Sequence, residues 1–207
     1  LQWKQYSGKW NLQTQGQAAG GYTWPGATAP WGIWTWGDGS AGQLGQGNVT
    51  DYSSPVQVGA LTGWDTICMA NTWAIATKLD GTLWTWGSGN LGQLGHGNTT
   101  NISSPVQVGA LTDWAEISSA YYGMSAVKTD GTLWSWGWNA NGQLGLNNLT
   151  SVSSPVQVGA LTDWLKVACA EEHTAAIKTD GTLWTWGLNA NGQLGDGTTT
   201  QRSSPVQ

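Results

Sequence analysis

Phenylalanine is absent from this 207-residue chain, and charge is scarce: Asp, Glu, Lys and Arg together make up 9% of it. An average soluble domain carries roughly 25%. Seven basic against twelve acidic residues leave a net charge of -5. Several phosphates would have to be neutralised in one place for nucleic acid to bind, and the basic residues, read as scattered, supply no such patch. No apolar run approaches the roughly 18 residues of a membrane-crossing helix, so no membrane span is expected. No Leu/Glu/Lys-rich stretch offers a helix of any kind. Cysteine is nearly absent as well. Cys68 and Cys169 occupy non-equivalent places in the repeat described below. The simpler reading makes them small buried hydrophobes, with a disulfide as the alternative.

What the chain has in abundance is Gly (31) and Trp (17), arranged with a period of 50 residues. Trp34-Thr35-Trp36-Gly37 returns as Trp84-Thr85-Trp86-Gly87, Trp134-Ser135-Trp136-Gly137 and Trp184-Thr185-Trp186-Gly187. A fixed period of this length marks a repeat architecture. In the unit from Ser53 to Asn101, Pro55 starts an extended segment through Val58, which suits a first or edge strand. Asp65 to Ala70 and Trp73 to Thr77 read as a second and a third strand. Asp80-Gly81 is a hairpin turn, because glycine reaches positive φ without a Cβ clash. The fourth strand is the tryptophan strand, at 82–87, 132–137 and 182–187, with its first copy at 32–37.

Four short antiparallel strands per unit, repeated radially, make an all-β propeller, with four copies of a 50-residue four-stranded blade as part of a larger propeller. In the fourth strand Leu83 and Thr85 point one way and Trp84 and Trp86 the other. Both faces then need partners, as they have when blades stack. Burying one tryptophan contributes roughly 4–6 kcal/mol before entropy is counted. Trp84, Trp86, Trp134, Trp136, Trp184 and Trp186 are therefore expected in the core.

A Gly-Gln-Leu-Gly connection follows each tryptophan strand, at 42–45, 92–95, 142–145 and 192–195. It lacks the Lys-Ser/Thr and the helix of a phosphate loop. Its Leu is expected to plug the space between blades, and its Gln to satisfy buried backbone groups. Asn147 stands where the other copies have Gly47, Gly97 and Gly197. Asn visits left-handed geometry more readily than other non-glycine residues, so φ > 0 is expected there. Two positions vary between copies: Asp38/Ser88/Trp138/Leu188 and Gln46/His96/Leu146/Asp196. A constant frame with changeable loops fits a binding surface, and idle solvent-facing sites would vary in the same way.

Chemistry has little to work with. His96 and His173 lie in non-equivalent repeat positions, with no Cys or carboxylate at ligand spacing. Asp80, Asp130 and Asp180 each open a tight turn, where turn hydrogen bonding is their first role. Glu171-Glu172 reads as a solvated loop. No catalytic, cofactor-binding or metal-binding residue is assigned, no cofactor is expected, and the chain is read as no enzyme.

The ends depart from the pattern. Residues 1–31 form an atypical segment, linker or degenerate strands, in which Gln17 to Thr23 aligns with Val167 to His173; residues 32–207 hold the repeats. One expectation is that Pro205-Val206-Gln207 supplies the strand missing from that first blade and closes a four-bladed ring. The other is that the chain is an excerpt, beginning at Leu1 without Met and ending inside a repeat. Its end blades are then covered by further chain or by a second copy, and the isolated chain self-associates.

The string Lys178-Thr179-Asp180-Gly181-Thr182-Leu183-Trp184-Thr185-Trp186-Gly187, continued through Gly192-Gln193-Leu194-Gly195 to Ser203-Ser204-Pro205-Val206, resembles the RCC1 (regulator of chromosome condensation) repeat family. The resemblance covers about Trp34 to Gln207. It implies a propeller whose usual closed form has seven blades, and protein recognition of several kinds: a GTPase exchange factor, an enzyme inhibitor, an ultraviolet photoreceptor. The photoreceptor's ring-packing arginines are missing, since Arg202 is the only arginine. Near-identical copies with little charge look like the bacterial and viral branch. Ser7-Gly8-Lys9-Trp10 and Gly20-Gly21-Tyr22-Thr23-Trp24-Pro25 are similar to a module of tailed-phage structural proteins. The expectation is a structural or receptor-binding module of a virion, of tail-fibre type, whose partners are other virion or tail subunits, copies of itself or a host surface receptor. The alternative is a cellular or secreted interaction propeller that regulates a GTPase or inhibits an enzyme.

Overall fold

The computed structural model describes residues 32–207. Regular structure among them is β throughout, with no helix. The first sheet pairs β1 (Trp34–Gly37) with β2 (Tyr52–Gln57). The second holds β3 (Trp64–Met69), β4 (Trp73–Lys78), β5 (Leu83–Gly87) and β6 (Ile102–Gln107) in sequence order. The third holds β7 (Trp114–Ser119), β8 (Gly123–Lys128), β9 (Leu133–Gly137) and β10 (Val152–Gln157). The fourth holds β11 (Trp164–Cys169), β12 (His173–Lys178), β13 (Leu183–Gly187) and β14 (Arg202–Val206). Neighbours within each sheet are antiparallel, so these are the blades of a propeller.

The sequence repeat and the blade are out of phase. The Ser-Ser-Pro-Val-Gln segment opens the repeat, yet it closes the preceding blade: Val56 pairs with Thr35, Val106 with Thr85 and Val206 with Thr185. Pro205 and Val206 thus complete the fourth sheet by pairing with β13; the N-terminal segment, their expected partner in a four-bladed ring, lies outside the described residues. The nearest free edge is the tryptophan strand just upstream, and pairing with it closes a short loop at low entropic cost. As the outermost strand, this segment tolerates its proline, whose missing N–H leaves no gap in the ladder and blunts the edge.

Alternation then sorts side chains to the two faces of each blade. Trp86, Trp136 and Trp186 are fully buried against the preceding blade; Leu83 and Leu133 are buried against the following one. Val108, Trp114, Ile117, Met124 and Trp136 meet Trp73, Ile75, Leu83 and Leu94 in one such interface. Leu94 and Leu144 are the expected plugs. At the open face of the fourth blade the equivalent Leu183 is 55% exposed. Trp36, equivalent to Trp86, is 59% exposed at the other end.

The other tryptophan of each pair takes a different place. Trp84, Trp134 and Trp184 are half-buried and meet Trp64, Trp114 and Trp164 at centroid distances of 5.9, 6.1 and 6.2 Å. Lys78, Lys128 and Lys178 lie over these rings, with Nζ 4.5, 4.4 and 4.5 Å from the second ring's centroid. Lys128 and Lys178 also pair with Asp113 and Asp163 at 3.4 Å. Half of the lysines are therefore not scattered. They recur every 50 residues as part of the frame.

Candidate binding face

Antiparallel pairing places the end of β3 and β5 beside the start of β4 and β6. Each blade therefore has two rims. One carries the Asp-Gly turns 80–81, 130–131 and 180–181. The other carries the short connections 70–72, 120–122 and 170–172 and the long loops after the tryptophan strands.

The turn rim is built alike in the three four-stranded blades. Asp80 accepts hydrogen bonds from the Thr82 N–H (3.0 Å) and hydroxyl (2.6 Å), and Thr82 Oγ1 accepts one from Trp84 Nε1 (2.8 Å). Asp130–Thr132–Trp134 and Asp180–Thr182–Trp184 repeat the chain of bonds. The Thr82, Thr132 and Thr182 hydroxyls hold the three carboxyls below the usual aspartate range. These aspartates are occupied in turns, as their position before glycine predicts.

The loop rim differs from copy to copy. The triplet beginning β4 is Asn71-Thr72-Trp73 in one blade, Tyr121-Tyr122-Gly123 in the next and Glu171-Glu172-His173 in the last. Tyr121 and Tyr122 meet edge to face at 4.2 Å, and Tyr122 meets Trp138 at 5.3 Å. Trp138 belongs to one of the two variable positions recognised in the sequence. The tyrosines escape a reading confined to the loops after the tryptophan strands, although superposing copies at the 50-residue period exposes them. Asn71 Nδ2 donates to the Tyr121 hydroxyl (3.2 Å), and Trp73 Nε1 to the Tyr121 carbonyl (3.2 Å). The aromatic cluster is thereby tied to the neighbouring blade. Glu172 is no idle loop residue: it accepts from Asn141 Nδ2 at 3.1 Å.

The variable loop positions do not all face outward. Asp38 is exposed, Trp138 and Leu188 are half-buried, and Ser88 is buried at 7% exposure. Gln46, His96, Leu146 and Asp196 are half-buried; Gln46, His96 and Asp196 bond within their own blade, and Leu146 packs against the interface of the third and fourth blades. Gln46 Nε2 donates to Thr35 Oγ1 (3.1 Å), and His96 Nε2 sits 2.9 Å from Thr85 Oγ1. The Thr85 hydroxyl donates to the Leu94 carbonyl (2.7 Å), so the histidine must donate, which assigns the proton to Nε2. Burial holds the His96 pKa below its ordinary value. Asp196, bonded to the Thr198 hydroxyl and to Arg202, is lowered to about 2.

The glutamines behave as expected. Gln43, Gln93, Gln143 and Gln193 accept through Oε1 from the N–H two residues before them. Asn147 has φ 58°, and its N–H donates to the Ser203 carbonyl in the next blade (2.7 Å), as Gly47 does to Ser103 and Gly97 to Ser153.

Between the loops of the first three blades lies an open cleft of about 320 Å³, lined by Ser40, Thr72, Asn90, Leu91, Asn101 and Tyr121 among others. Among the described residues no charged side chain lines it. Among the described residues no three His, Cys, Asp or Glu side chains come together as a metal would require. Cys68 and Cys169 are half-buried and are not joined in a disulfide; Cys68 Sγ meets the Ile117 carbonyl at 3.6 Å, and burial pushes the Cys169 thiol up. Among the described residues no helix is long and apolar enough to cross a membrane.

Comparison with solved structures agrees with this architecture. The chain is similar to human WBSCR16, at 23% identity and TM-score 0.74, covering 84% of this chain and 48% of that one. It is similar also to yeast RCC1 (Prp20) bound to Kap60, at 21% identity and TM-score 0.74, covering 84% and 44%. A second structure of Prp20p, from Saccharomyces cerevisiae, matches at 21% identity and TM-score 0.72, covering 84% and 45%. The chain thus spans somewhat under half the length of these relatives. No curated protein shows significant similarity to it. The model of the regulator of chromosome condensation (RCC1) repeat matches residues 32–70, 80–127, 130–177 and 180–207. With most of its length matched and every described blade built to the same plan, the chain belongs to the RCC1 repeat family.

Proposed function

We propose that this chain is a non-enzymatic binding module that recognises a protein partner through its loop rim. The observation that carries the reading is the contrast between rims: the Asp-Gly-Thr turns are identical, whereas Asn71-Thr72, Tyr121-Tyr122 and Glu171-Glu172 differ completely. Tyr and Trp give large contact area at low entropic cost, and Tyr121, Tyr122 and Trp138 gather in one blade. The solved relative Prp20 is bound to Kap60 in one structure and is described by its binding to Gsp1p and histones in another, so the fold serves protein recognition elsewhere.

The narrower reading is a component of a virus particle, contacting other virion or tail subunits, copies of itself or a host surface receptor. The low charge, the near-identity of the copies and the phage-like Ser7–Pro25 stretch support it. Cross-linking mass spectrometry on the native particle or complex tests both levels. Cross-links from the loop rim to a protein subunit are expected. Replacing Tyr121, Tyr122 and Trp138 together with Ser should abolish them, while Thr129→Ala on the turn rim should not. Cross-links confined to the turn rim sink the module reading, and a native complex without virion proteins sinks the narrower one.

A further inference from the structure

We infer that the cleft between the first three blades is a subsite for a neutral, gluco-configured saccharide, an inference that rests on the loop rim being the binding face. The lining sets the chemistry. Ser40, Thr72, Asn90 and Asn101 offer hydroxyl and amide groups, and Leu91 and Tyr121 offer apolar surface. With no cation among them, a phosphate or carboxylate ligand would lose its hydration without a charged partner. With no anion among them, a basic peptide is no better served. A sugar needs neither: its hydroxyls exchange bonds with amides and hydroxyls, and its C–H face covers a ring.

Tyr121 supplies that ring. It is 42% exposed, yet it is not loose. Tyr122 packs against it edge to face at 4.2 Å, Trp138 backs Tyr122 at 5.3 Å, and Asn71 Nδ2 donates to its hydroxyl. The hydroxyl oxygen is thus engaged as an acceptor while its proton stays available to a ligand. A platform braced in the free state loses little entropy on binding. Glucose and N-acetylglucosamine units in β-linkage have axial C–H bonds on both faces and equatorial polar groups, the shape that stacks flat on a tyrosine. Asn101 Oδ1 is already held by the Gly89 N–H at 2.9 Å, which leaves its Nδ2 as the donor. The cleft, open and about 320 Å³, matches the small end of ligand sites and leaves room for an oligosaccharide to extend.

Calorimetric titration of the 207-residue chain with cellohexaose and with chitohexaose tests the inference. Binding of at least one is expected. Tyr121→Ala should weaken it about tenfold or more, which is about 1.4 kcal/mol per tenfold. Tyr121→Phe keeps the ring and should weaken it less than Tyr121→Ala; Thr129→Ala should leave it unchanged. Thermal melts of each variant report folding, and the conservative Phe variant keeps the comparison informative if Ala unfolds the loop. Failure of both hexasaccharides to bind, or binding indifferent to Tyr121, overturns the saccharide subsite. If that happens while the aromatic triple substitution still abolishes protein cross-links, the loop-rim reading stands alone. If a hexasaccharide binds at Tyr121 while those cross-links persist in the triple variant, the protein reading falls and the subsite survives.

Discussion

The indole N–H of Trp136 donates to the main-chain carbonyl of Gln93, 43 residues earlier in the preceding blade, at 3.1 Å. Trp86 makes the same bond to Gln43, and Trp186 to Gln143, each at 2.9 Å. Gly95 allows the approach: it has φ +78°, and a Cβ there would stand 2.7 Å from Trp136 Nε1. The tryptophan strand of one blade and the Gly-Gln-Leu-Gly loop of its neighbour are thus one interface, written into the repeat twice.

Trp136→Ala should cost about 3–5 kcal/mol, the range for a large side chain removed from a packed core. Trp136→Phe should cost less, about 1–3 kcal/mol, mainly from leaving the Gln93 carbonyl without its donor. Trp36→Ala, at a position 59% exposed, should change stability by less than about 1 kcal/mol. Urea unfolding of the three variants checks the order. A Trp136→Ala loss below about 1 kcal/mol would contradict the blade packing.

Asn147 tests the loop geometry. With φ at 58°, Asn147→Gly should be neutral or slightly stabilising. Asn147→Val should destabilise by about 1–2 kcal/mol, since a β-branched side chain fits left-handed backbone poorly. Equal melting temperatures for the two variants would refute the assignment.

Gly131 and Gly181 have similar backbones, φ +78° and +84°, in different surroundings. A methyl at Gly131 would collide with the Thr162 carbonyl oxygen, whereas at Gly181 it meets nothing within 4 Å. Gly181→Ala should therefore show only the backbone penalty, about 1 kcal/mol, and Gly131→Ala clearly more. Matching denaturation midpoints would mean the turn does not press on the next blade.

His96 should make stability pH-dependent. Its folded pKa is lowered by burial, so protonation favours the unfolded chain. The contribution is fully present above the unfolded value, about 6.5, and is lost as pH falls through the folded value. His96→Gln reproduces Gln46 of the first copy, which donates to the equivalent threonine, and should flatten this dependence while keeping the fold. Melting temperatures from pH 7.5 down to about 5 compare the two chains. Parallel curves would rule the histidine out as the cause.

Much of this protein was legible in its residues because the repeat makes each local choice four times. The 50-residue period, the Trp-Thr-Trp-Gly alternation and the Asp-Gly turns determine a propeller with Trp86, Trp136 and Trp186 inside. The Asn147 substitution alone revealed a left-handed backbone. These are short-range properties: turn sterics and the two-residue period of a strand. Tertiary structure decided the rest. Which strand the Pro-Val-Gln segment joins depends on whose edge lies free in space, so the blade boundary falls within the repeat. The lysines acquire their role only when β3 and β5 bring two indoles around the Nζ of Lys78 on β4, as the equivalent strands do around Lys128 and Lys178. Tyr121 and Trp138, 17 positions apart in sequence, share a cluster because antiparallel pairing returns the end of β9 to the start of β8. The cleft beneath them is made from loops of three blades, and no single copy of the repeat contains it.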